Sequence, residues 1–364
     1  VLAGRCIIGP ASARLVIDGR PFLNFFGSGY LALSDVPEIR AAVRKTLDDG
    51  APFAQHLPAA LGARDPCFEA VEQVGAQACG TADSVYFGSG YLIGAIALSS
   101  IEEPVGWILL DGQAHYNLVD AAKVSGAVID EFDHCNTESL SDRLVNRHAN
   151  MRHPPIVLTD GVFATTGNVP PLHAYAEVLA RYNGRLVVDE SHGFGVVGPD
   201  GRGAADYHGL NSGVIAGATL SKAFCAQGAL LGCSREVAAR VRRRPPIRGT
   251  GAGSPLSAAA ATASLAYAAA RPELREGLRA MASYLRLRLR ELGVEVIDSP
   301  APIVSFRWGR YADMQALQRR LFEREIYIYH SNYIGSGPDG VIRCAVFRDH
   351  SRGDIDTLIS EMRA

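Results

Sequence analysis

Apolar residues in this chain fall into two recurring patterns. Short, nearly continuous apolar runs of the kind that form buried parallel strands stand at Ser84–Phe87, Gly106–Leu110, Ala127–Asp130, Ile156–Thr159, Arg185–Asp189, Val214–Gly217 and Ala229–Cys233. Between them, Cys67–Cys79, Leu92–Ser100, Asn117–Ser125 and Leu172–Tyr182 carry apolar residues at helical spacing. The alternation predicts an α/β fold around a central, mostly parallel, seven-stranded sheet.

The stretch RRRPPIRGTGAGSP, Arg242–Pro255, interrupts this rhythm with proline and glycine and reads as a crossing between domains. Beyond it come alanine-rich helices to Leu292, strands near Val294–Ile297 and Ile303–Arg307, and a helix near Met314–Arg324. Strands near Ile326–Tyr329 and Val341–Ala345 and a final helix complete a smaller α+β unit. At the other end, ARLVIDGRPFLNFF reads as a hairpin turning at Asp18–Gly19. The expected division is an N-terminal segment over 1–45 packing with the small domain, a large domain over 46–247 and a small C-terminal domain over 248–364.

Composition narrows the classes of function. The chain has 364 residues, 48% of them hydrophobic, and a formal net charge of -2, enough to bury a large core and no general attraction to polyanions. Nucleic acid is not an expected partner. No apolar run is long enough to span a membrane, and a cytoplasmic location is expected. Seven scattered cysteines without a C-x-x-C pair argue against a disulfide framework and against a zinc site, so no metal is expected.

Gly193, Gly195 and Gly198 have the G-x-G-x-x-G spacing of a dinucleotide loop. Their context does not fit. Asp189, Glu190, Ser191 and His192 separate them from the strand, and a Pro-Asp-Gly turn follows instead of a helix. A nicotinamide-dependent oxidoreductase is therefore a remote reading.

Lysine is scarce, with only Lys45, Lys123 and Lys222. Lys222 follows an apolar strand among small residues, where desolvation can free an amine to attack an aldehyde. Asp189 ends a buried strand, in the crevice where open α/β sheets bind ligands. An acid facing a pyridine nitrogen, with a later lysine forming a Schiff base, is what pyridoxal phosphate requires. Gly88-Ser89-Gly90-Tyr91 lies between a strand and a helix, where backbone N–H groups can hold a phosphate. Thr219 can add a hydroxyl, and His115, starting another helix, can stack on an aromatic ring.

With FGSGYLIGA, DGQAHYNL, DGVFATTGNVPPL, VVDESHGFGVVGPDGRG, TLSKAF and VIRCAVFRDH in this order, the chain resembles the α-oxoamine synthases, fold-type I pyridoxal-phosphate enzymes. The resemblance runs from about Leu15 to the C-terminus. It implies a homodimeric acyltransferase that condenses an amino acid with an acyl thioester of coenzyme A or a carrier protein, usually with decarboxylation. It also implies roles: Lys222 forms the Schiff base and is the base, Asp189 pairs with the pyridinium nitrogen, His192 binds the phenolic oxygen and His115 stacks on the ring. Ser89, Gly90, Tyr91 and Thr219 would hold the phosphate, joined by Thr250 of a second subunit. Arg343, seven residues before His350, would grip the amino acid's carboxylate through its bidentate fork.

The chain also departs from that family. Where members read Ser-Asn-Asp-Tyr-Leu-Gly-Leu, GSGYLALS puts Ser28 and Gly29 in place of the Asn-Asp pair that arranges substrate, so Ser28 is a candidate substrate contact. The usual serine after Val-Phe is Ala164, next to Thr165 and Thr166. Two other readings stay open: a different pyridoxal-phosphate reaction (aldol cleavage, transamination, racemisation or side-chain replacement), or a silent partner subunit, which retention of Lys222 disfavours.

Overall fold

The computed structural model describes residues 4–9, 12–54, 65–210, 213–250 and 253–363. Strands are numbered in chain order: β1 Ile7–Ile8, β2 Arg14–Ile17, β3 Arg20–Asn24, β4 Asp83–Phe87, β5 Trp107–Asp111, β6 Val128–Phe132 and β7 Ile156–Asp160. Then follow β8 Arg185–Asp189, β9 Val214–Thr219, β10 Ala229–Cys233, β11 Ile303–Phe306, β12 Ile326–Tyr327, β13 Tyr329–Ser331 and β14 Val341–Ala345.

All seven apolar runs form one sheet, in the order β4-β10-β9-β8-β7-β5-β6. Only β10 runs antiparallel to its neighbours. Helices cover both faces, which is why the strands read as continuous apolar runs. Ile108, Leu110, Ile156, Leu158 and Val187 enter one core cluster, while Trp107, Leu109, Val157, Leu186 and Val188 enter another. A one-residue slip of any of these strands would exchange the two faces.

Four of the observed strands, β5, β6, β7 and β9, run one or two residues past the expected C-terminal ends, while β8 ends at Asp189 as expected. β5 ends on Asp111, β7 on Asp160, β8 on Asp189 and β9 on Thr219. These are spatially consecutive strands, with Asp160 in register with Asp189. The carboxyl edge of the sheet is thus a row of polar side chains above an apolar core.

The Asp18–Gly19 hairpin forms as expected, with Ile17 paired to Arg20 and both turn residues at positive φ (50° and 78°). Its strand β3 pairs in parallel with β12, Ile326 opposite Leu23. β11, β14 and β13 make a separate three-stranded antiparallel sheet. Backbone bonds from Ala345 N to Phe25 O (2.6 Å) and Arg348 N to Tyr30 O (2.8 Å) tie the N-terminal segment to β14. Helix Pro255–Ala269 lies against helices Pro37–Asp48 and Pro66–Cys79.

Two local expectations are corrected. Val294–Ile297 forms no strand: no described strand pairs with it, and the Val296 carbonyl accepts from the Arg290 guanidinium instead (3.2 Å). Pro245–Thr250, read as irregular, is a short helix, since prolines at a helix start remove N–H groups that have no intrahelical acceptor. Among the described residues no helix is long and apolar enough to cross a membrane.

Candidate active site

Asp189 and Lys222 are brought to the same end of the sheet. Asp189 is buried at the tip of β8, its Oδ1 accepting from Ser191 N (2.9 Å) and its Oδ2 from Asn117 Nδ2 (2.7 Å). Lys222 follows β9. Burial pulls its ammonium down to about 8, against the charges of Asp189 and Asp160, which favour the protonated form. Neither carboxylate hydrogen-bonds its Nζ among the described residues, so the amine is held near acids without being tied to one.

Asp160 was not anticipated from sequence. It lies beside Asp189 at the tip of β7, and its Oδ2 accepts the backbone N–H of His115 (2.8 Å). Burial and the neighbouring Asp189 charge push its carboxyl well above the usual carboxylate range. The bond to His115 N fixes the start of helix Tyr116–Ser125, and with it the imidazole.

His192 is buried, and its Nδ1 lies 2.6 Å from the Tyr30 hydroxyl. Burial raises that phenol to about 12, so it keeps its proton and donates. The same burial, reinforced by the charges of Lys222, Arg343 and His115, holds His192 well below the usual imidazole range. A neutral ring that accepts at Nδ1 carries its hydrogen on Nε2. His192 is therefore an Nε2–H donor, and Tyr30 is a second residue that sequence reasoning missed.

At the phosphate-type turn, Gly90–Leu92 form one 3₁₀ turn leading into helix Ile93–Ser100, and Ser89 Oγ accepts from Tyr91 N (3.3 Å). Glycine is required at 90: a Cβ there would come within 2.7 Å of the Thr219 Cβ. That close approach sets the Thr219 hydroxyl beside the turn. Thr219 Oγ1 also meets Ser221 Oγ at 2.9 Å, a hydroxyl that the sequence reading passed over. The Thr250 side chain lies outside the described residues.

On the substrate side, Arg343 is buried on β14. Its Nε donates to Ala164 O (2.7 Å), Nη1 to Gly27 O (3.2 Å) and Nη2 to the Tyr30 hydroxyl (3.4 Å). No carboxylate among the described residues pairs with it, so a buried cation stands ready for an anionic ligand. Ser28 lies one residue beyond Gly27, though its hydroxyl makes no hydrogen bond among the described residues. The Thr165 hydroxyl is buried without a hydrogen-bond partner among the described residues, and Thr166 Oγ1 accepts from Asn168 N (3.3 Å).

The fold also assembles a group that spacing alone did not suggest. Ligand-type atoms of Asp111, His134 and Cys135 lie within 4.8 Å of one another. They already satisfy each other: His134 Nδ1 meets Asp111 Oδ1 (2.9 Å), Asp111 Oδ2 accepts from Cys135 N (3.1 Å), and His134 Nε2 meets Asn168 Nδ2 (3.2 Å).

A strand-end acid, a lysine of lowered basicity and a hydroxyl-lined helix start on this sheet, with a buried guanidinium that no carboxylate pairs among the described residues, define a fold-type I pyridoxal-phosphate enzyme. The residues fit the cofactor on their own geometry: the glycine contact opens the phosphate turn, and no protein acid occupies the lysine. The chain belongs to the class I and II aminotransferase family, whose model matches residues 68–362, and within it to the α-oxoamine synthase branch. It is 32% identical to the 8-amino-7-oxononanoate synthase of Methylococcus capsulatus, over 98% of this chain and 92% of that protein. The enzyme of the same name from Coprothermobacter proteolyticus is 28% identical, over 99% of this chain and 92% of its own length. In fold, the chain matches serine palmitoyltransferase of Sphingomonas wittichii with a TM-score of 0.91, covering 100% of this chain and 92% of that one at 22% identity.

Proposed function

We propose that this protein condenses an amino acid with an acyl thioester, forming a C–C bond at the α-carbon, releasing the thiol and carbon dioxide, and leaving an α-aminoketone. The observation that carries the reading is the joint placement of an untied Lys222 amine near Asp189 with a buried, carboxylate-free Arg343 in reach of the same His192. One group suits an aldehyde cofactor and the other an amino acid's carboxylate.

Bound pyridoxal phosphate would supply an electron sink that makes the substrate α-carbon acidic. The chain's own groups do the rest. Lys222 Nζ, poised near neutrality, takes and returns the α-proton. Asp189 would face the cofactor's ring nitrogen, His192 would donate its Nε2 hydrogen toward the phenolic oxygen, and His115 would stack on the ring. Ser89, Gly90, Tyr91 and Thr219 would hold the phosphate, with Thr250 contributed by a second copy. Arg343 orients the carboxylate, beside Ser28.

A cytoplasmic homodimer completes this reading. Tyr91 and Tyr116 are each 50% exposed beside His115, an aromatic rim suited to being covered by a second copy. The test is incubation of cofactor-loaded protein with amino acids, with and without acyl thioesters. Thiol release coupled to aminoketone formation supports the reading. Amino-acid turnover that ignores every thioester would overturn it.

A further inference from the structure

One buried polar side chain in the site has no role in the reaction described above. Asn117, the second residue of helix Tyr116–Ser125, is 2% exposed and bonds at both ends of its amide. Its Nδ2 donates to Asp189 Oδ2 at 2.7 Å, and its Oδ1 lies 2.7 Å from His115 Nδ1.

The chemistry of these partners fixes the direction of each bond. An ionised carboxylate only accepts, so the amide turns its NH₂ to Asp189 and its carbonyl oxygen to the imidazole. A carbonyl oxygen only accepts, so the hydrogen sits on His115 Nδ1. The Asn117 backbone N–H also points at this nitrogen in a helix-cap contact of 3.3 Å, which needs Nδ1 bare and so competes with the first. The shorter contact, with its orientation set by the carboxylate, decides the tautomer.

We propose that Asn117 is a positioning residue that couples Asp189 to His115, fixing the rotation of the carboxylate and the tautomer of the imidazole together. The proposal rests on the functional reading above for what those two groups face. Both Asp189 oxygens then carry one donor each, Ser191 N and Asn117 Nδ2, which prevents the carboxylate from turning about its bond. His115 is held with Nε2 free of hydrogen while its backbone is anchored on Asp160. The two histidines of the site thus take opposite tautomers: Nδ1–H at His115 and Nε2–H at His192. An aspartate at 117 would set two carboxylates together, and a serine is too short to meet both partners.

The test has one arm that needs no cofactor. Nitrogen NMR of histidine-labelled apo protein, with His115 assigned by its loss in His115→Gln, should show hydrogen on Nδ1, and Asn117→Ala should lose that preference. An Nε2–H tautomer at His115 in the parent overturns the proposal without any variant. In the second arm, pyridoxal phosphate is titrated into parent, Asn117→Ala and Asn117→Ser. Affinity is expected to fall about 10-fold in both variants, the size of one lost buried bond to a charged group, and the pH midpoint of the visible band should move. A purely structural role would lower apo melting temperature yet leave tautomer and midpoint unchanged, which would refute coupling. Absence of any visible band in the parent would instead remove the pyridoxal-phosphate reading, with the proposal built on it.

Discussion

Around Asp189, the site is built from neighbouring strand ends: Asp160 is in register on β7, and His115 and Asn117 follow β5, one strand further along the same sheet. Around Arg343, it is built from segments far apart in the chain. The guanidinium on β14 reaches Gly27 and Tyr30 of the N-terminal segment and Ala164 after β7, and Tyr30 reaches His192 after β8. One end inherits its precision from a rigid parallel sheet, while the other depends on how four segments settle against each other. This contrast predicts that the first end tolerates chemical change poorly and the second trades affinity more readily than turnover.

The sharpest way to break that contrast is at Lys222. Lys222→Ala should abolish the cofactor's visible Schiff-base absorbance and lower turnover by at least about 10³-fold, as expected when the nucleophile that also serves as base is removed. Retained absorbance would mean that another amine holds the cofactor. In the parent, the rate of absorbance growth on adding pyridoxal phosphate should rise with pH through about 8, because the neutral amine is the nucleophile and burial has lowered Lys222 to that range. A rise only near the ordinary lysine range would show that the site does not desolvate the amine.

Asp189→Asn comes next. Its neutral amide can still fill the space beside Asn117 and Ser191 but carries no charge to stabilise a protonated ring nitrogen. Cofactor binding should survive while turnover falls about 10²- to 10³-fold, a loss of the order found when one preorganised electrostatic partner is removed. Comparable turnover in the variant would move the electron-sink role elsewhere.

At the other end, Arg343→Lys keeps the charge but loses the fork that meets Ala164 O and Gly27 O together. Amino-acid KM should rise about 10- to 100-fold with a smaller change in kcat, the pattern of lost uniform binding. An equal fall in kcat would show that Arg343 acts in the transition state and that the two ends are not separable.

How much of this was legible in the sequence follows the same division. The seven strands were readable because burial on both faces leaves continuous apolar runs, and Asp189 and Lys222 stood out against them as an acid ending a run and a rare lysine among small residues. Asn117 carried a usable signal, a polar amide two positions after His115 at a helix start. Asp160 carried one too, as an acid closing an apolar run in the manner of Asp189. Tyr30 matches the tyrosine of the family stretch compared with GSGYLALS, but its bonds carried no signal. Its partners His192 and Arg343 are 162 and 313 positions away, and only the tertiary fold brings them together. Val294–Ile297 misled in the opposite sense, since alternation predicts a strand only where a neighbouring strand exists to pair with it.

Tyr30 therefore gives the smallest expected effect and the finest comparison. Its phenol donates to His192 Nδ1 and receives Arg343 Nη2, so it is the only side chain that directly joins the carboxylate-binding arginine to a cofactor-facing histidine among the described residues. Tyr30→Phe keeps the ring in its buried place and removes only the hydroxyl. His192 then loses the donor that selects Nε2–H, and the ring is free to place its hydrogen on either nitrogen. Loss of one buried hydrogen bond of this kind is worth about 1 kcal/mol, roughly a 5-fold effect on turnover. Nitrogen NMR should show His192 shifting from pure Nε2–H to a mixture while His115 keeps its Nδ1–H form. If both histidines changed together, the two ends would share one hydrogen-bonded network, and the separation between a sheet-built end and a segment-built end would fail.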